Sequence, residues 1–374
     1  MKTFAAVITE TRAGAISTVQ LFGKNAGGVL KKIFKPAITF KPGNIYLGTI
    51  VDGSETIDQV TVGCVADDNL AIHCHGNPLI VEMIMTLLSK KGVKLIAGSQ
   101  LHQKILASDK SLNTIELEAQ VTVPQATTIQ GTRIVDNQIK AGLNKTASNW
   151  LDSSLETIKL QAEEILKQSK IARLIIFGCK VVLVGPPNSG KSTLLNTLAG
   201  REKAIVTDIK GTTRDYVTAQ CRIDSLLLEV IDTAGLSAKL AFKSSTIDKK
   251  SQKKSIQLLA ESDLVLLVTD NCADELADQL RGKKVLTVLN KSDLTGEDSN
   301  CPDDAIQISA KFATGIDLLL EKIRQVTGVA DFDTNSPIAI TDRQIGLLSQ
   351  LRKAKSKPKA NKIITELLNA AICV

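Results

Sequence analysis

The sequence predicts an α/β domain with a mostly parallel sheet built around a phosphate-binding loop, with helical segments before and after it and a smaller α+β domain ahead of them. Three observations carry this. Between residues 178 and 329, short β-branched or leucine-rich runs alternate with helical stretches, the pattern of a parallel sheet covered on both faces. The first of these runs, Val181 to Val184, passes directly into Gly185-Pro-Pro-Asn-Ser-Gly-Lys-Ser192, a GxxxxGKS loop between strand and helix. Residues before 98 read instead as strands joined by tight turns, with one helix.

At 374 residues the chain has room for two or three domains of roughly 100–200 residues. The net charge of +7 suits an acidic partner such as RNA, and equally a solvated basic face. Seven cysteines, at 64, 74, 179, 221, 272, 301 and 373, form no CxxC pair. An odd, scattered set argues against a disulfide framework and for a reducing compartment. The apolar stretch Phe4 to Ile8 is too short for a signal peptide. The most apolar segment, Ile171 to Val184, is broken by Arg173 and Lys180 and falls short of the ~20 residues a membrane span needs. A soluble cytoplasmic protein without a membrane segment is expected.

In chain order, residues 1–97 carry strand patterns at 15–22, 45–51, 57–65 and 70–74, with Asp52-Gly53 as a turn. Asn77 and Pro78 start an apolar helix that ends before Gly92, a cap followed by a first-turn proline. In Ile72-His73-Cys74-His75-Gly76 the two histidines share one strand face and the thiol points to the other, so a strand end or small-ligand contact is favoured over zinc. Residues 98–177 read as helical, with connections near Pro124 and Gly142. Leu151, Leu155, Ile158, Ala162, Ile165 and Leu166 recur at helical spacing and predict one long helix over 148–177. Strands follow at 180–184, 226–231, 264–269, 284–289 and 305–308, with an Asp224-Ser225 hairpin that adds an antiparallel edge at 217–223. Residues 338–372 read as two helices split by a lysine-rich, proline-containing connection around Lys353 to Lys359, taken as a solvated loop.

The loop's chemistry follows from its residue types. Gly185 and Gly190 let backbone N–H groups of Asn188, Ser189, Gly190 and Thr193 approach phosphate oxygens, Lys191 reaches the outer phosphates, and Ser192 offers a hydroxyl to Mg²⁺. Asp232-Thr-Ala-Gly235 ends a strand, where Asp232 can hold Mg²⁺ through water and the Gly235 N–H can meet the γ-phosphate. Asn290-Lys291-Ser-Asp293 ends another. There Asp293 can accept two hydrogen bonds from guanine, and Asn290 can bond the purine or tether the phosphate loop. Adenine lacks that donor edge, so the set selects GTP and GDP by a factor on the order of 10⁴. Ser309, Ala310 and Lys311 complete the base pocket. Thr212 or Thr213, in Gly211-Thr-Thr-Arg-Asp215, can complete the Mg²⁺ shell, which makes this loop a first switch and residues 232–246 a second. Leu236 stands where Ras-type enzymes place glutamine, so the group that positions water comes from elsewhere. Asn188 is either turn chemistry or a ligand for a monovalent cation.

GPPNSGKS, DIKGTTRD, DTAGL and NKSD, behind a small domain ending in IHCHG, together resemble the MnmE (TrmE) family of tRNA-modification GTPases, most specifically over 178–329. The resemblance implies a G domain inserted in a helical domain, so that 98–177 and 330–374 pack together. It implies a homodimer through the N-terminal domain, a tetrahydrofolate derivative bound there, and joint action with the flavoprotein MnmG on the wobble uridine of certain tRNAs. It also implies potassium-dependent pairing of G domains with Asn188 as K⁺ ligand. Catalytic roles fall on Lys191, Thr213, Gly235 and, by counting back from Ser262-Asp263, on Asp248 as the water-positioning acid. The chain departs from the family at Ile372-Cys373-Val374, where the family ends Phe-Cys-Ile-Gly-Lys, and around 98–115, where a motif rich in Gly-Glu-Phe and Arg-Ala-Phe is absent. These departures bear on folate and modification chemistry and leave GTP binding untouched. A second reading, a regulatory or RNA-particle-assembly GTPase without modification activity, stands beside the first.

Overall fold

The computed structural model describes residues 2–9, 14–109, 111–200, 217–232, 257–270, 280, 282–294 and 305–369. It divides into two compact units, one of residues 1–117 with 370–374 and one of residues 118–369.

The first unit begins with β1 (Phe4–Val7), β2 (Ile16–Phe22) and α1 (Ala26–Lys31), and continues with β3 (Phe34–Lys35), β4 (Ile45–Asp52), β5 (Glu55–Ala66) and β6 (Asn69–His75). It is completed by α2 (Pro78–Lys90), β7 (Lys94–Leu95) and α3 (Gly98–Ser108). The strands form a seven-stranded sheet in the order β3-β4-β5-β6-β2-β1-β7, antiparallel except where β1 meets β7. Burial alternates along β2, as expected of a sheet with one face packed. Val19, Leu21, Val62, Leu70 and Ile72 meet Leu30 of α1 and Ile84, Leu87 and Leu88 of α2. Asn77 caps α2 as its spacing predicts, accepting from the Leu79 N–H. The stretch Phe4 to Ile8 holds a strand, β1, that the sequence reading passed over. His73 Nδ1 lies 3.0 Å from Thr18 Oγ1, and His75 Nδ1 2.7 Å from Asp58 Oδ1.

A further helix, α4 (Thr114–Thr122), spans the division. The second unit then runs through α5 (Ile129–Lys140), α6 (Leu143–Asn149), α7 (Leu155–Phe177), β8 (Cys179–Val184), α8 (Lys191–Ala199), β9 (Val217–Ile223) and β10 (Leu226–Asp232). After these come β11 (Leu264–Thr269), β12 (Val285–Leu289), β13 (Ile306–Gln307), α9 (Ile316–Thr327), α10 (Asp342–Arg352) and α11 (Lys357–Asn369). The single helix expected over 148–177 is two helices. Trp150–Asp152 forms a 3₁₀ turn, and Ser154 caps α7 by accepting from the Thr157 N–H. Local hydrogen bonding overrode the apolar spacing there.

The sheet order is β13-β12-β11-β8-β10-β9, parallel throughout except for the β9–β10 hairpin at its edge. β8 is central, with β10 and β11 on either side, so the loop leaving it opens where the strand order reverses, the usual ligand position in an open α/β sheet. Helices on both sides of the sheet in sequence close on one another. Gln138 of α5, fully buried, accepts from the Leu143 and Ile338 N–H groups and donates to the carbonyls of Ile134 and Ser336. Ser169 of α7 accepts from the Ala339 N–H at 2.8 Å. Ile134, Ile175, Ile338 and Ile340 share one core with the sheet residues Val181, Leu228 and Leu266. The helical segments thus sandwich the α/β unit in sequence and join it in packing.

Candidate nucleotide site

Two glycines make the loop after β8 possible. Gly185 has φ 152° and Gly190 φ 92°, both in the region that favours glycine. A Cβ at Gly185 would strike the Val268 carbonyl, and one at Gly190 would strike the Asn290 side-chain nitrogen. Because Gly190 has none, Asn290 Nδ2 reaches across to donate to the Ser189 carbonyl at 2.8 Å, while its Oδ1 accepts from the Ala310 N–H at 2.9 Å. Asn290 is 2% exposed. It is therefore a tether between the phosphate loop and the 309–311 loop, the second of the two roles its sequence position allowed, and the second hydrogen of its NH₂ group leaves the purine contact open as well.

Lys191, at the start of α8 and buried, donates to the carbonyls of Gly185 at 3.0 Å and Pro186 at 2.7 Å, which fixes its ammonium inside the loop. Burial pushes its pKa down from the ordinary lysine value, opposed by the nearby Asp232 carboxylate. Such an ammonium is primed for a polyanion, because a phosphate restores the favourable partner that desolvation removed. Ser192 Oγ donates to Asp232 Oδ2 at 2.6 Å, so the hydroxyl from α8 and the carboxylate from the end of β10 converge. Asp232 is 3% exposed, and its Oδ1 is buried without a hydrogen-bond partner. An orphaned, buried carboxylate oxygen beside a hydroxyl is an all-oxygen donor set of the kind Mg²⁺ takes.

At the base end, Ser309, 2% exposed, donates from Oγ to Asp293 Oδ1 at 2.6 Å and so sets the plane of that carboxylate. Its backbone pairs with Thr314. Lys311 is exposed, with Nζ 5.2 Å from the Phe312 ring centroid. Thr193 is exposed on α8. Asn188 is exposed with φ 63°, a left-handed conformation asparagine tolerates better than most residues. Thr212, Thr213, Gly235, Leu236 and Asp248 lie outside the described residues.

Two residues of this site escaped sequence reasoning. Asp270, just past β11, pairs with Lys291 at 2.8 Å, whose backbone sits at φ 66°. The signal was present, a carboxylate at the end of a parallel strand like Asp232. Thr197 of α8 donates to the Ala310 carbonyl at 2.7 Å and ties the phosphate helix to the base loop. Nothing in its local sequence marks it.

A strand-loop-helix phosphate cradle, a Ser–Asp metal pair and a guanine-type acidic loop at the ends of one parallel sheet define a P-loop GTPase domain. The family model described as 50S ribosome-binding GTPase matches residues 180–291, and the model described as GTP-binding protein TrmE N-terminus matches residues 3–99. The tRNA modification GTPase MnmE of Clostridioides difficile is 27% identical over 91% of this chain and 85% of its own. That of Aliarcobacter butzleri is 29% identical over 83% and 78%, and that of Thermotoga maritima 26% over 94% and 88%. The chain is thus similar to MnmE (TrmE) GTPases over most of its length, and it is a GTP-hydrolysing enzyme that binds GTP, GDP and Mg²⁺. Among the described residues no helix is long and apolar enough to cross a membrane.

Proposed function

We propose that this chain hydrolyses GTP to GDP and phosphate in support of tRNA wobble-uridine modification, acting as a homodimer together with an MnmG-type flavoprotein. The observation that carries the nucleotide assignment is the pairing of Asp293 with Ser309 at 2.6 Å. A carboxylate held in one plane presents two acceptor oxygens to the N1–H and exocyclic amine of guanine, and adenine would leave it unpaired. Lys191 and the N–H groups of residues 188–193 take the phosphates. Ser192 and Asp232 hold Mg²⁺, which supplies charge neutralisation at the phosphate oxygens when bound. Thr212 or Thr213 joins that shell from the first switch, the Gly235 N–H meets the γ-phosphate, and Asp248 positions water in place of the glutamine that Leu236 replaces.

Asn188 offers its exposed carboxamide oxygen to K⁺, which neutralises charge that an arginine finger handles in other GTPases. The exposed Ile16, Ile45, Leu47 and Val65 of the first unit support an interface between two copies there. The tetrahydrofolate derivative enters no step of this reading.

GTP turnover in K⁺ against Na⁺ tests the cation. A marked loss in Na⁺ that Asn188→Ala abolishes is expected, and equal rates in both salts refute it. Deletion of the gene followed by nucleoside analysis of tRNA tests the pathway. Loss of wobble-modified uridine is expected, whereas unchanged nucleosides with intact GTPase activity favour the assembly or regulatory alternative, which the departure at 98–115 keeps open.

A further inference from the structure

One lysine of the connection between α10 and α11 is drawn into the fold. Lys357 donates from Nζ to the Trp150 carbonyl at 2.7 Å and to that of Ser153, closing the 3₁₀ turn against the start of α11. Ala354 and Ala360 are buried on either side. At the far end of α11, Arg343 donates to the carbonyls of Glu366 and Leu367 while Glu118 holds its guanidinium at 2.7 Å through two oxygens. The segment is thereby fixed at both ends.

On this rigid support stand Arg352, Lys353, Lys355, Lys359 and Lys362, all exposed. Among the described residues none of the five forms an ion pair, and the neighbouring carboxylates Asp152 and Glu366 pair with none of them. Lys359 and Lys362 lie one turn apart on the same side of α11. The first turn of α11 contains no acidic residue, so Lys359 also stands against the helix dipole. Mutual repulsion of this kind is a cost that an anionic partner removes.

The surface also says which anion. The apolar residues of α11, namely Ala360, Ile363, Ile364, Leu367 and Leu368, all face inward, and no large hydrophobic residue between 345 and 369 is exposed. A membrane-surface helix needs an apolar face to sink into the lipid, and a protein interface needs a buried aromatic or aliphatic anchor. Neither is present. Point charges on flexible stems, without an anchor, match a phosphodiester backbone. We propose that Arg352, Lys353, Lys355, Lys359 and Lys362 form a docking surface for the phosphate backbone of a folded RNA. The choice of RNA over other nucleic acid rests on the tRNA reading above.

The test is fluorescence anisotropy of labelled bulk tRNA with the full chain across a salt series, comparing the native protein with Lys355→Gln/Lys359→Gln/Lys362→Gln and with the matching Lys→Arg triple. The glutamine triple is expected to bind tRNA roughly tenfold or more weakly and to lower the slope of log K against log[salt] by about 2, at ~0.7 per phosphate contact. The arginine triple keeps affinity and slope, and all three proteins keep the same basal GTP turnover. Equal affinity and slope in the native and glutamine proteins overturn the proposal, as does binding to phosphatidylserine-containing vesicles in place of tRNA. The wobble-nucleoside analysis decides the pathway separately, so an intact patch effect with unchanged nucleosides leaves this surface standing and removes only the modification reading.

Discussion

The seven-stranded sheet of the first unit alternates buried with partly or fully exposed residues along β2, whereas β11 of the six-stranded sheet is buried at every position. The antiparallel sheet packs one face, so every second side chain is committed to its core. The parallel sheet is covered on both faces, which leaves polar chemistry only at the strand ends. Asp232, Asp270, Asn290 and Ser309 all sit there, just at or beyond β10, β11, β12 and β13. A buried parallel sheet therefore collects its site at one edge, while the first unit spreads its polar residues over an open face and, among the described residues, gathers no comparable group.

This contrast can be broken most directly in the first unit. Ile72→Ala removes a fully buried side chain and is expected to cost about 2–5 kcal/mol, measured by denaturant unfolding. Nucleotide affinity should stay unchanged, and a fall in GDP binding under native conditions would show that the two sheets are not separate in function. Lys191→Ala does the reverse. Loss of its charge-assisted phosphate contacts should weaken GDP and GTP binding on the order of 100-fold, read by a fluorescent nucleotide analogue, while hydrogen exchange in β2, β5 and β6 stays as in the native chain.

Asn290→Ala probes the tether between the two loops. It leaves the Ser189 carbonyl and the Ala310 N–H without their partner, at a cost of about 1–3 kcal/mol. The accompanying loss of nucleotide affinity should appear for GDP as well as GTP, since neither contact depends on the γ-phosphate.

The smallest effect concerns pH. Burial pushes the Cys179 thiol up to about 12 from an ordinary 9.0, with Asp263 adding to the rise and Lys284 opposing it. The folded state then holds a proton that the unfolded chain releases, so this contribution is complete below pH 9 and is lost as pH rises towards 12. Stability measured from pH 8 to 11 should decline more steeply for the native protein than for Cys179→Ala. Parallel curves would remove the assignment.

The strand-loop-helix of residues 180–195, the hairpin at Asp224-Ser225 and the acidic loop ending at Asp293 were legible because each depends on local rules: β-branched runs, glycines at fixed offsets, and turn residues between apolar stretches. The break at Trp150–Ser154 was not, because the apolar spacing runs through it. There the buried indole donates to Gln161 at 2.6 Å and Lys357, two hundred residues on, closes the turn. In the lysine-rich connection Lys353, Lys355 and Lys359 are exposed as expected, while Lys357 is drawn onto two carbonyls, since a sequence shows charge but not which lysine is spent on a carbonyl.

By itself the sequence determined the nucleotide class, because guanine selection and phosphate binding need particular residue types at short spacings: Gly185, Gly190, Lys191, Ser192, Asp232 and Asp293. Only the tertiary structure decided how those pieces are held. Gly190, lacking a Cβ, lets Asn290 bridge Ser189 and Ala310. Asp270 and Thr197 acquired their partners, and Lys357 was separated from the five cations around it, through contacts between residues far apart in the chain. Local pattern carries no record of such contacts, since they exist only once the sheet and helices have packed.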